Sequence, residues 1–319
     1  MKVEMVVGDV NVEVGLDRLV LALPYPKKLK GDLLNPVTVN QIAQYEFEKA
    51  EFVSAMHYIK NMVVDNFKHH VINTKNKDLK RYHVFFNGGG LMCIFTLGFC
   101  FGTGVINLEL NPSKLSPKQF SELFSWLDLF FNHGYPELYS KTVVSHAEFY
   151  VDAVGEDLSN LLMVDDSRRA TTNYKGTTYL GRRGASNVTT MYDKAQEQEV
   201  EGKLVRIEAR INRNDIRFQD LVEHYLFNPF GNVLVVDINQ LQSAADEFNN
   251  PQIANHIKEL GLVGSVKNKH ARKKMFAVLQ ENTVPWWQPE LFWESHREML
   301  MMFKMNCVGS VVYVTQREC

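Results

Sequence analysis

Two segments place carboxylates, arginines and a histidine at strand spacing. Residues 145–152 read SHAEFYVD. Strand side chains alternate faces, so His146, Glu148, Tyr150 and Asp152 share one side while Ala147, Phe149 and Val151 take the other. Residues 204–211 read LVRIEARI and repeat the design. Here Arg206, Glu208 and Arg210 face one way, and Val205, Ile207, Ala209 and Ile211 the other. Carboxylates projecting from two strands of one sheet suit a hard divalent cation such as Mg²⁺ or Mn²⁺, which takes oxygen ligands. The same pattern also describes the solvated faces of two half-buried strands joined by Arg–Glu cross-strand pairs. The spacing leaves both readings open.

Residues 177–194, TTYLGRRGASNVTTMYDK, add a basic turn followed by Tyr192, with Thr190 and Lys194 on its side of a strand. A free phenol titrates near pH ~10 and is a weak nucleophile at neutral pH. A neighbouring lysine, together with a metal on the phosphate under attack, would make phosphoryl transfer to tyrosine feasible. An ordinary hairpin tyrosine beside a lysine has the same spacing.

Charge is unevenly distributed. The chain of 319 residues carries 35 basic and 37 acidic side chains, a formal net charge of −2, which by itself is unlike a generic nucleic-acid binder. Residues 168–194 nevertheless hold six basic side chains (Arg168, Arg169, Lys175, Arg182, Arg183, Lys194) against Asp193, a local charge of +5. Residues 264–274 hold Lys267, Lys269, Arg272, Lys273 and Lys274 with no acid, another +5. Two basic patches on an acidic body fit local contacts to a phosphate backbone. A basic run such as 264–274 is equally the mark of a solvated helix face.

The elements that must position these residues can be read from periodicity and turn chemistry. LDRLVLAL (16–23) is strand-like and ends at prolines, and a long helix is expected over 39–67. Strands are expected over 82–86, 91–97 and 105–110, with Gly88-Gly89-Gly90 as a turn. Ser116 caps a helix that has Pro117 in its first turn, buries Phe120, Leu123, Phe124, Leu127, Phe130 and Phe131, and stops at Gly134. Strands 143–153 and 204–211 flank a short helix over 156–163 and a hairpin of 177–181 with 188–192. Short helices follow from about Asn239, the last over 290–305. The expected class is α+β: a central, mostly antiparallel sheet with helices on one face, plus a small C-terminal helical region. The expected division is 1–236 for a catalytic unit and 237–319 for the helical remainder.

An apolar fraction of 45% and a charged fraction of 23% exclude disorder, collagen and a coiled coil. Cys93, Cys100, Cys307 and Cys319 lack zinc-type spacing, and the N-terminal stretch has no signal-peptide apolar core. The most apolar run, 91–106, is glycine-broken and short for a membrane span. A cytoplasmic protein is the expectation.

Four blocks, in order over roughly residues 14–214, resemble the rolling-circle replication initiators, the nicking endonuclease-ligases of small plasmids and filamentous phages. They are LDRLVLALP with Asp17, INLELNPSKL with its following helix, VVSHAEFYVDA with Glu148, and GTTYLGRRGASNVTTMYDK…LVRIEARI with Tyr192, Lys194 and Glu208. The resemblance implies Tyr192 as nucleophile, Lys194 as electrostatic helper, and Asp17, Glu148 and Glu208 as ligands of Mg²⁺ or Mn²⁺. It also implies phosphate contacts from Arg182, Arg183, Arg206 and Arg210. The implied reaction cuts the plus-strand origin, leaves a 5′-phosphotyrosyl link and a free 3′-OH, and later rejoins the strand. Origin DNA, single-stranded or unpaired at the nick, is the implied partner; host helicase, host polymerase and a second copy of the chain are further ones. Family members commonly carry arginine and aspartate where His146 and Glu148 stand, and the chain lacks the His-hydrophobe-His metal motif of the wider superfamily. Two other readings keep part of the pattern: a metal-dependent nuclease using water, and a non-catalytic origin-binding protein.

Overall fold

The computed structural model describes residues 2–25, 39–128, 140–165, 171–181, 185, 187–212, 215–224, 227–240 and 252–303. Arg168, Arg169, Arg182, Arg183, the expected helix end from Phe130 to Gly134, Cys307 and Cys319 lie outside them.

One antiparallel sheet organises the chain. It comprises β1 (Lys2–Val7), β2 (Val10–Leu23), β3 (His69–Asn73), β4 (Leu79–Phe85), β5 (Leu91–Cys100), β6 (Thr103–Leu110), β7 (Val143–Val154), β9 (Thr171–Tyr174), β10 (Thr177–Leu180), β11 (Asn187–Asp193) and β12 (Leu204–Ile211). Its order is β3-β4-β5-β6-β2-β7-β12-β11-β10-β9, with β1 paired to β2. The α+β class with a large antiparallel sheet is therefore as expected. The other pair, β8 (Leu161–Asp165) with β13 (Val233–Asp237), forms a small antiparallel sheet.

Helices α1 (Val39–Asn66), α2 (Pro117–Asp128), α4 (Phe218–Glu223) and α7 (Pro289–Met301) supply much of the main core; α3 (Lys194–Gln198) is a single short turn after β11. Phe52, Ala55, Ile59 and Val63 of α1 are buried at helical spacing. Ser116 and Gln119 cap α2 reciprocally, each bonding the other's backbone N–H at 3.3 and 3.0 Å. Phe292, Trp293, Met299 and Leu300 of α7 share the main core with Phe149 and Val151. His296 of α7 is fully buried, its Nε2 3.1 Å from the carbonyls of Gly15 and Tyr150. Helices α5 (Ile253–Ser265) and α6 (Lys269–Glu281) close a smaller core of Leu162, Val164, Val236, Ile257, Met275 and Leu279 over β8 and β13. The described residues beyond Asp237 thus divide between two cores. Among the described residues no helix is long and apolar enough to cross a membrane.

The expected helix over 156–163 is not formed. Asp157 caps a single 3₁₀ turn, Leu158–Asn160, and the chain then extends into β8. The run Leu161-Leu162-Met163-Val164 is buried on both faces, and pairing with β13 settles an apolar stretch whose periodicity alone cannot distinguish strand from helix.

Candidate functional site

The strand alternation places the core and polar faces of β7 and β12 as the sequence requires. Ala147, Phe149, Val151 and Ala153, with Val205, Ile207, Ala209 and Ile211, are buried in the main core. The register sets Arg206 opposite Asp152, Glu208 opposite Tyr150 and Arg210 opposite Glu148 on the other face. β11 adds Tyr192 opposite Arg206 and Thr190 opposite Glu208.

Tyr192 is half-buried, and its hydroxyl donates to Glu208 Oε2 at 3.3 Å. Burial, reinforced by the Glu208 carboxylate, raises the phenol well above its ordinary value despite the opposing charge of Arg206. The hydroxyl therefore stays protonated at neutral pH. Glu208 is itself buried, which raises its carboxyl above the usual range; Arg210 opposes the shift and Glu148 adds to it. A carboxylate of raised basicity that already accepts a hydrogen bond from a phenol is suited to general-base work.

Arg210 reaches both acids, bonding Glu208 Oε1 through Nε and lying 3.4 Å from Glu148 Oε1. Its side chain is 38% exposed, leaving guanidinium hydrogens for a ligand. His146 extends the chain of contacts, with Nε2 2.7 Å from Glu148 Oε1 and Nδ1 against Asn212 Oδ1. Burial favours the neutral form of Glu148, but His146, Arg210 and Arg18 outweigh it and lower its pKa.

Arg206 has a different environment. It bonds both oxygens of Asp152 at 2.6 Å, donates to Asp17 at 3.3 Å and stacks 3.8 Å from the Tyr150 ring centroid. Burial works against its charge, yet the Asp152 pairing holds it protonated. Three of its five N–H donors go to Asp152 and Asp17 and its side chain is only 7% exposed, so Arg206 braces the face, whereas Arg210 is open to a phosphate.

The three acids expected to share a metal are not brought together as a shell. A register shift between Leu16 and Arg18 bulges β2 at Asp17, which accepts from Ser113 at 2.9 Å and from Arg206. Glu148 and Glu208 share the Arg210 guanidinium instead. Among the described residues no group of three or more His, Cys, Asp or Glu side chains could hold a metal ion. This donor set does not fit the implied cation as it stands.

Lys194 also departs from the alternation. Asp193 ends β11 and caps α3 by accepting from Gln196 N at 2.9 Å. The Lys194 ammonium pairs with Glu197 and lies 5.7 Å from the Tyr192 ring centroid. It faces the ring as a cation over a π-system, rather than continuing the strand beside it.

Tyr192 opens onto a polar cleft of about 280 Å³ lined by Lys175, Tyr179, Thr190, Gln196, Glu197 and Arg210, among others. Lys175 comes from the β9–β10 turn, where it holds a left-handed φ of 49° next to Gly176 at 78°. Its place in the cleft depends on hairpin pairing, which the bare basic count does not reveal. Beyond Arg210 the polar face continues through Arg18 and Arg81, which clasp Glu109 at 2.9 and 3.2 Å.

No family model matches the chain, and no curated protein sequence matches it. Among solved structures it is similar to a rolling circle replication initiator protein from Geobacillus stearothermophilus. The TM-score is 0.35 and the identity 9%, over 93% of this chain and 98% of that one. A score at this level does not establish a shared fold.

Proposed function

We propose that this chain is a DNA nicking and joining enzyme of rolling-circle replication, with Tyr192 as its nucleophile. The hydrogen bond from the Tyr192 hydroxyl to buried Glu208, at the mouth of a cleft bearing Lys175 and Arg210, is the observation that supports the reading most directly.

Lys175 and Arg210 hold the scissile phosphate as charged donors to its oxygens. As the Tyr192 oxygen attacks phosphorus, Glu208 takes the phenolic proton, so no free phenolate forms where burial opposes it. The Tyr192 O–P bond forms, the P–O3′ bond breaks, and the 3′ oxygen takes a proton from water to become a free 3′-OH. The 5′ side remains on the protein as a phosphotyrosyl diester. In the joining step a 3′-OH attacks that phosphorus and gives up its proton to water, the Tyr192 O–P bond breaks, and Tyr192 recovers its proton from Glu208. The phosphotyrosyl diester conserves the phosphodiester that was broken, so rejoining needs no nucleotide cofactor.

Mg²⁺ or Mn²⁺ at the acids would require Arg210 to release Glu148 and Glu208, and Asp17 to leave Arg206. The water-using nuclease reading depends on that shell and has less support than the tyrosine. Single-stranded or unpaired origin DNA is the substrate in this reading, because the scissile phosphate must enter the cleft to reach Tyr192.

The experiment is incubation with labelled single-stranded DNA, with divalent cation supplied, followed by denaturing electrophoresis. Native protein should carry label after denaturation and Tyr192→Phe should not. Cut DNA with no protein attached would favour the water nuclease. Salt-sensitive binding without cleavage would favour a non-catalytic binder.

A further inference from the structure

The β5–β6 hairpin turns on two residues, Phe101 and Gly102, between paired Cys100 and Thr103. Both have positive φ, 50° and 79°, as the tight twist-matched hairpin turn demands. Glycine adopts this conformation freely and asparagine tolerates it, whereas a bulky aromatic residue there is strained. Phe101 is also 100% exposed, so its ring gains nothing from the fold to offset the strain. An aromatic side chain that is unfavourable both in backbone and in hydration points to a ligand for the ring.

Its surroundings indicate the ligand's chemistry. The β3–β4 tip lies beside this turn: Asn76 Nδ2 donates to the Phe99 carbonyl at 3.2 Å, and Phe99 N to the Asp78 carbonyl at 3.2 Å. That neighbouring tip carries Lys75 and Lys77, both exposed. A single projecting aromatic ring with lysines alongside matches the way single-stranded nucleic acid is held, by base stacking plus cations on the backbone. A lipid surface is a poorer match, since the tip itself is polar (Asn73, Lys75, Lys77, Asp78 and Thr103) and the exposed Val71 and Ile72 lie back along β3 from it.

We infer that Phe101 is a stacking contact for an unpaired nucleobase, with Lys75 and Lys77 on the adjoining phosphates. The inference rests on the proposed function only in taking DNA as the ligand. The sheet register sets the tip on the order of 40 Å along the strands from Tyr192, at ~3.3 Å per residue. The contact would fall on DNA flanking the nick rather than on the scissile phosphate.

A tryptophan at the tip makes the contact visible. The four native tryptophans, Trp126, Trp286, Trp287 and Trp293, are buried or half-buried, so the emission added by Phe101→Trp will be accessible to iodide. Addition of (dT)20 should quench that emission and shield it from iodide. A blue shift with phosphatidylserine vesicles and no response to (dT)20 would overturn the inference in favour of lipid, and no response to either would overturn it outright. Phe101→Asn suits the turn, so its melting temperature should equal or exceed the native one while its affinity for (dT)20 falls on the order of fivefold or more. Unchanged affinity in that variant would also overturn the inference. Stacking without any tyrosine adduct would leave this contact standing and refute the nucleophile, and an adduct without stacking would do the reverse.

Discussion

Removing the carboxylate of Asp152 tests how the polar face is braced. Asp152 and Arg206 are 5% and 6% exposed and make two parallel charge-assisted bonds of 2.6 Å. Breaking one side of a buried pair typically costs about 3–5 kcal/mol, because the other charge is left without a partner. In Asp152→Ala the guanidinium keeps Asp17 at 3.3 Å and the Tyr150 ring at 3.8 Å, which places the expected loss near the lower bound, about 3 kcal/mol. Replacing both partners, as in Asp152→Ala with Arg206→Met, removes the orphaned charge and should recover on the order of half of that loss. Urea unfolding of native, single and double variants at neutral pH measures the cycle. A loss below about 1 kcal/mol in Asp152→Ala, or strictly additive single effects, would refute the bracing role.

Four further outcomes follow from the same geometry. Glu208→Gln should slow tyrosine adduct formation by about 10²–10⁴-fold, measured by quenched time courses on denaturing gels. In native protein the rate should rise with pH as Glu208 loses its proton, at a pH above the ordinary carboxylate range, and this limb should vanish in Glu208→Gln. At Gly15 an added Cβ would lie 2.5 Å from the Tyr150 ring, so Gly15→Ala should destabilise by about 1–3 kcal/mol in thermal melts. Lys175→Ala should reduce the slope of log affinity against log salt for single-stranded DNA by about 0.7, read by anisotropy titration.

How much of this the sequence carried depends on which interactions decide each feature. The faces of β7 and β12 were legible because strand alternation is local and one face of each strand is uniformly apolar. The partnership of Tyr192 with Glu208 was not, since it depends on the β11–β12 register, with Thr190 opposite Glu208. Alternation also misplaced Lys194, because it could not register that Asp193 stops β11 and caps α3. Asp17 stands at a bulge, where one additional residue redirects a side chain that regular spacing would send elsewhere. Arg206 and Arg210 read alike in LVRIEARI and differ only through tertiary contacts: Asp152 pairs with the first in a buried setting, and solvent reaches the second. Lys175 enters the cleft by hairpin pairing rather than by sequence proximity, and the strand identity of 161–165 required its partner β13.

In the proposed reaction Tyr192 becomes covalently joined to DNA. The most direct test of that link is mass spectrometry of the proteolysed adduct, after reaction with single-stranded DNA and supplied Mg²⁺ or Mn²⁺ and nuclease trimming. The expected result is a nucleotide phosphate mass on the peptide that contains Tyr192, localised to that residue. The same modification on Tyr150, Tyr174 or Tyr179, or cleaved DNA with no modified peptide, would contradict it.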